Sequence, residues 1–143
     1  MSIWFGEPTT EFANSFHENT LVSNLGIEIT EIGADSLVGR MQVDDRTRNP
    51  LNILHGGASL AFAETLGSFA SNQCVDPDKY YCVGLDINAN HIRTVTSGEV
   101  TGTARPLHLG RRTHVWRITI NDVKNRLVCE SRITVAVIKK DES

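Results

Sequence analysis

Apolar residues recur every three to four positions through only one long stretch of this chain, GGASLAFAETLGSFASNQ from Gly56 to Gln73. Stepped at 100° per residue, Ala58, Phe62, Thr65, Leu66 and Phe69 fall on one stripe, which predicts a long central helix over 56–73 with one face buried. Before it, Thr9 or Thr10 can cap a short helix that puts Phe12, Phe16 and His17 on one side, and a turn from Leu21 to Leu25 stops at Gly26. These predict an N-terminal segment of short helices over 1–25. Then the period drops to two. Ile27, Ile29 and Ile32 lie in a β-branched run, Gly33-Ala34-Asp35 turns, and Leu37, Gly39, Met41 and Val43 alternate with Ser36, Val38, Arg40 and Gln42, as in a hairpin with one wet face. The polar run 44–49 ends at Pro50 and reads as a loop leading into the helix.

After Asp76-Pro77-Asp78 the alternation resumes. Val83, Leu85, Ile87 and Ala89 oppose Gly84, Asp86, Asn88 and Asn90. Val100, Gly102 and Ala104 follow, then a turn at Leu109-Gly110, then Trp116, Ile118 and Ile120, a turn over 122–125, and a long strand from Val128 to Ile138. The pattern predicts an α+β fold in which a curved antiparallel sheet of about five to six strands wraps one long helix. With 143 residues the chain is expected to form a single domain, 1–143.

Charge changes the picture by exclusion. The chain carries 14 Lys+Arg against 17 Asp+Glu, a formal net charge of -3, which leaves no nucleic-acid footprint. Cys74, Cys82 and Cys129 are widely spaced with no C-x-x-C, so reduced core thiols, no metal site and a cytoplasmic protein are expected. No apolar run reaches the ~20 residues of a membrane span, and the N-terminus lacks a signal-peptide layout.

One charge stands out within the helix. Gly57, Leu60, Ala61, Glu64, Ser68 and Ser71 form its second face, small enough for a backbone or thin ligand to approach, and Glu64 is the only acid there. Partial burial on such a face would raise its pKa, as suits a general base or nucleophile. The bland alternative is a solvated helix residue. His55, Gly56 and Gly57 open the helix, where free backbone N–H groups favour negative charge, the geometry of an oxyanion hole. Taken singly, a capping or core histidine and a plain tight turn are the better explanations. Glu64 lies roughly 12 Å along the axis from Gly56, so a substrate or a second chain must bridge the gap.

Taken together, HGGASLAFAETLGSFAS, VGLDINANHIR and RPLHLGRR closely resemble the hotdog-fold acyl-CoA thioesterases. The resemblance runs from about Ser23 to Ile138 and is strongest to the glutamate-dependent bacterial group that includes the 1,4-dihydroxy-2-naphthoyl-CoA and enterobactin-proofreading thioesterases. It implies the hotdog fold, a homodimer with shared active sites, and a homotetramer made of two such dimers. It makes Glu64 the nucleophile or general base, Gly56 the backbone donor to the thioester oxygen, His55 an orienting group, Asn49 an amide at the carbonyl, and Ser68 a hydroxyl that steadies the acid. No cofactor is implied beyond the acyl-CoA substrate itself.

Coenzyme A binding is expected from Asn90, His91 and Arg93 at one strand end and from Leu107, His108, Leu109, Gly110, Arg111 and Arg112 around the glycine turn, with Val83 beside them. Without the resemblance, these arginines read better as solvated strand-end charges. Where the dihydroxynaphthoyl-CoA and enterobactin-proofreading thioesterases carry glutamine, proline, phenylalanine and glycine before the helix, this chain has Asn49-Pro50-Leu51-Asn52. Asn49 keeps the amide one methylene shorter, and Leu51 replaces an aromatic ring that would line the acyl pocket. The expected activity is therefore thioester hydrolysis of an aromatic acyl-CoA, with a medium-chain aliphatic acyl-CoA close behind. An acyl dehydratase using His55 and Glu64, or a non-catalytic acyl-CoA binder, are the rivals from other classes.

Overall fold

The computed structural model describes residues 1–141; the last two positions of the expected domain, 142–143, lie outside the described residues. Helices α1 (Thr10–Phe16) and α2 (Leu21–Asn24) precede the hairpin β1 (Glu28–Ile32) and β2 (Leu37–Gln42); helix α3 (Gly56–Gln73) and strands β3 (Tyr80–His91), β4 (Glu99–Leu109), β5 (Thr113–Asn121) and β6 (Leu127–Lys139) follow. All six strands form one sheet in the order β1-β2-β4-β5-β6-β3, antiparallel throughout. The sheet curls around α3, which packs against every strand from β2 to β6. This is the hotdog arrangement.

The caps are as the side chains dictate. Thr9 accepts from the Phe12 N–H at the start of α1, and Gly26 ends the α2 turn at φ 72, a backbone setting that only glycine adopts without cost. Most of the predicted stripe of α3 is core: Phe62 and Leu66 are fully buried, and Ala58 and Phe69 nearly so, with Thr65 half-buried at its edge. Their seat is a trough of two glycines. Gly39 on β2 and Gly102 on β4 face each other in register, and a Cβ on Gly102 would stand 2.7 Å from Leu66 Cδ1 and 3.0 Å from the Phe62 ring. Backbone therefore replaces side chain where the helix comes closest to the sheet.

Two placements differ from the pattern. Ser71, grouped by angle with Glu64, is fully buried. The curled sheet reaches around that end of α3, and Ser71 Oγ accepts from Trp116 Nε1 at 2.6 Å. Its hydroxyl hydrogen is then left for His114 Nδ1 at 3.0 Å. In β3 the expected alternation fails at a bulge between Gly84 and Asp86. The extra residue changes the phase, so Cys82 is buried and Ile87 and Ala89 partly so, while Val83 and Leu85 are 40% and 62% exposed. β3 is also an edge of the sheet, its outer side unpaired along twelve residues.

The three cysteines are free. Burial pushes the Cys74 thiol up to about 12 and the Cys82 thiol up to about 11, so neither is a thiolate near neutrality. Burial, aided by nearby His108, lowers the His114 pKa, and burial also lowers that of His17. Both folded values lie below the ordinary 6.5, so above that pH both states are neutral and the stability is fully present. As pH falls through 6.5 the unfolded chain takes up protons that the folded chain resists, and stability is lost. The urea midpoint is expected to fall between about pH 7.5 and about pH 5.5, with a smaller fall in a His114→Gln variant.

Candidate active site

The start of α3 is prepared by His55. Its imidazole Nδ1 accepts the Gly57 N–H at 2.7 Å and its carbonyl accepts from Ala58 and Ser59 at 3.0 and 3.2 Å. Because Nδ1 is an acceptor here, a neutral His55 carries its proton on Nε2 and presents a donor outward. The two open glycine amides expected at this point are thereby reduced to one. Gly57 is committed to the cap, and the Gly56 N–H has no partner among the described residues. His91, at the end of β3, lies over the same glycine: a Cβ on Gly56 would be 2.9 Å from His91 Nε2. Gly56, His91, Arg93 and Asn49 together line a cavity of about 230 Å³.

Two turns along α3, Glu64 and Ser68 open onto a different space, a groove of about 800 Å³ bounded by α1, α2, α3 and β3. The Glu64 carboxylate stands over Gly84, where a Cβ would meet its Cδ and Oε1 at 3.5 Å. Asn72 holds β3 in that position. Its amide donates to the Ser68 and Cys82 carbonyls at 2.9 and 3.1 Å and accepts the Cys82 N–H at 2.9 Å. The partial burial expected of Glu64 is absent within this chain. Ala61 and Gly84 are too small to roof the groove, and the carboxylate is exposed with no hydrogen-bond partner among the described residues.

The other predicted residues fall into separate places. Asn49 Oδ1 accepts from the Leu51 and Ile53 N–H groups at 3.0 and 3.4 Å, closing its own loop. Leu51 is 79% exposed and lines neither cavity. Leu107, His108, Leu109, Arg111 and Arg112 are exposed around Gly110, whose N–H donates to the Thr113 carbonyl at 2.9 Å. This turn and the Asn90–Arg93 stretch, expected to act together on coenzyme A, lie at opposite ends of the sheet. Ala136 pairs with both Val83 and Thr113, which sets the turn near the Gly84 end of β3. His91 is seven residues further, about 23 Å at 3.3 Å per residue.

Sequence reasoning missed Asn72 and the destination of the α1 aromatics. An isolated amide has no periodic signature, and the alignment of Phe12, Phe16 and His17 was visible but not the groove they wall. Among the described residues no three His, Cys, Asp or Glu side chains come together as a metal site, and no helix is long and apolar enough to cross a membrane.

A family model described as the thioesterase superfamily matches residues 51–129. The chain is 46% identical over 136 residues to the 1,4-dihydroxy-2-naphthoyl-CoA hydrolase of Escherichia coli, an alignment covering 95% of this chain and 99% of that protein. It is likewise 46% identical over 142 residues to a proofreading thioesterase of Cronobacter turicensis, with 95% and 98% covered. A solved structure of a variant thioesterase from Pseudomonas aeruginosa superposes with a TM-score of 0.96 at 46% identity, covering 97% of this chain and 100% of that one.

Proposed function

Because the chain belongs to the thioesterase superfamily and is a thioester hydrolase, we propose that it cleaves an aromatic acyl-CoA to the free acid and coenzyme A at a site shared between two copies. The observation that carries this reading is the division of the chemistry along β3. The acid Glu64 stands over Gly84 at one end, and the free amide of Gly56 with His91 lies at the other. A second copy added antiparallel along this unpaired edge, about a two-fold axis midway between Gly84 and His91, would set each Gly84 opposite the second copy's His91. Each Glu64 would then face the helix start of the other chain. Pairing would also roof the open groove and cover Val83 and Leu85. A homotetramer would be two such dimers.

In that frame each group has one task. The Gly56 N–H, at the positive end of α3, donates to the thioester oxygen as it becomes an oxyanion. Glu64 either attacks the carbonyl carbon, giving a mixed anhydride that water then opens, or removes a proton from the attacking water. The C–S bond breaks with its electron pair leaving on sulfur, and a thiolate needs little acid assistance to depart. The outward Nε2–H of His55 is the available donor for the carbonyl or the leaving sulfur, and Ser68 is the hydroxyl one turn from Glu64. A medium-chain aliphatic acyl group is the second reading, favoured by a groove of about 800 Å³, more than one aromatic ring fills.

Thiol release from benzoyl-CoA, hexanoyl-CoA and their N-acetylcysteamine counterparts tests the proposal. The enzyme should free thiol from the CoA esters, with the higher kcat/KM for benzoyl. Absence of thiol release from every acyl-CoA would reject hydrolysis. The exposed His108–Arg112 turn is assigned to the nucleotide phosphates, so Arg111→Ala should raise KM for benzoyl-CoA roughly tenfold and leave KM for the N-acetylcysteamine ester unchanged. An equal rise for both would remove that role.

A further inference from the structure

Resting on the thioesterase reading above, we propose that His17 recognises a ring hydroxyl on the acyl group, its Nε2 accepting the hydroxyl hydrogen while Phe12 and Phe16 wall the ring. His17 closes α1 and lies in the same groove as Glu64 and Ser68. Its Nδ1 is 2.8 Å from the Ala13 carbonyl, and a carbonyl only accepts, so the hydrogen is on Nδ1. Burial keeps the ring in its neutral form near pH 7. Nε2 is then a bare lone pair without a partner among the described residues. It is an acceptor of fixed direction at an otherwise largely apolar wall.

That wall is aromatic. The His17 ring stands 5.3 Å from Phe69 and 5.3 Å from Phe16, and Phe12 is 5.7 Å from Phe16 and 6.4 Å from Phe69. Such spacings suit edge and offset contacts with one more ring. Phe12 and Phe16 line the groove and remain 50% and 63% exposed, whereas Leu51 of the same chain does not line it. Within one chain the ring partners for the acyl group therefore come from the N-terminal helix.

α1 is held rigidly enough for recognition. Asn14 donates to the Ile29 carbonyl at 3.0 Å and accepts the Ile29 N–H at 2.8 Å, tying the helix to β1. Such preorganisation lowers the cost of binding. Glu64, Phe69 and His17 all line this groove, so an aryl group extending from a thioester carbon held at Glu64 toward α1 runs along the aromatic wall to His17.

The test compares kcat/KM for benzoyl-CoA with the 2-, 3- and 4-hydroxybenzoyl-CoA isomers in the wild-type enzyme and in His17→Phe, which keeps an aromatic ring but no acceptor. The wild type should favour at least one hydroxylated isomer by roughly tenfold, about one hydrogen bond. In the variant that preference, read as the ratio of kcat/KM for the hydroxylated isomer to that for benzoyl-CoA in the same protein, should fall to near unity. An unchanged preference would overturn the assignment. So would an equal loss on all four substrates accompanied by a changed oligomeric mass, which would make His17 part of a subunit contact. If the wild type hydrolyses benzoyl-CoA but shows no preference, only this inference fails; if it hydrolyses hexanoyl-CoA but none of the four, the aromatic-acyl reading fails with it.

Discussion

Glu64→Gln is expected to lower kcat by roughly 10²-fold or more while KM for acyl-CoA stays within about twofold. Glutamine has nearly the shape of glutamate, so the contact over Gly84 survives. Glu64 makes no hydrogen bond among the described residues that the fold would lose, and the urea midpoint should not move. What is lost is the charge. An amide neither attacks a thioester carbonyl usefully nor takes a proton from water, so the deficit appears in the transition state rather than in binding. Single-turnover thiol release at saturating acyl-CoA would separate the two. Near wild-type turnover in the variant would remove Glu64 from the chemistry and return it to the role of a solvated helix residue.

Gly102→Val should damage the fold severely, costing about 3 kcal/mol and lowering Tm by about 10 °C. At this position even one added carbon meets Leu66 at 2.7 Å and Phe62 at 3.0 Å, and valine adds three. Neither neighbour can yield easily, since both are fully buried, and opposite them Gly39 is already within 2.8 Å of the Glu28 carbonyl if given a Cβ. The helix must lift or the sheet must flatten. Thermal unfolding followed by far-UV circular dichroism checks this, and a Phe62→Leu change in the same chain should recover part of the loss. A melt within about 2 °C of wild type would mean that α3 is not held as tightly as the trough suggests.

Much of the architecture was legible in the residues because it rests on local periodicity. The bounds of α3 followed from a 3.6-residue stripe between His55 and Asp76-Pro77, and the caps at Thr9 and Gly26 are chemistry of single side chains. What could not be read depends on how the sheet closes. The bulge at Gly84/Asp86 reverses the faces of β3 without any glycine–proline signal to announce it. The trough pairs Gly39 with Gly102 across sixty-odd positions, and the burial of Ser71 depends on curvature. The candidate site was half legible for the same reason. Glu64, Gly56 and His55 stand out by residue type and spacing, but their separation along β3, and the arrival of His91 at Gly56 and His17 at Phe69, are products of tertiary packing.

The strand that separates the two halves also acts as a ruler. In a site assembled from two copies, the interval from Gly84 to His91 sets where one chain's acid lands on the other's helix, and each added residue would shift that landing while turning every later side chain to the opposite face. In the proposed two-copy site a change of length within β3 would therefore misplace the acid, so that the spacing inside one edge strand would constrain the chemistry as firmly as the identity of the acid.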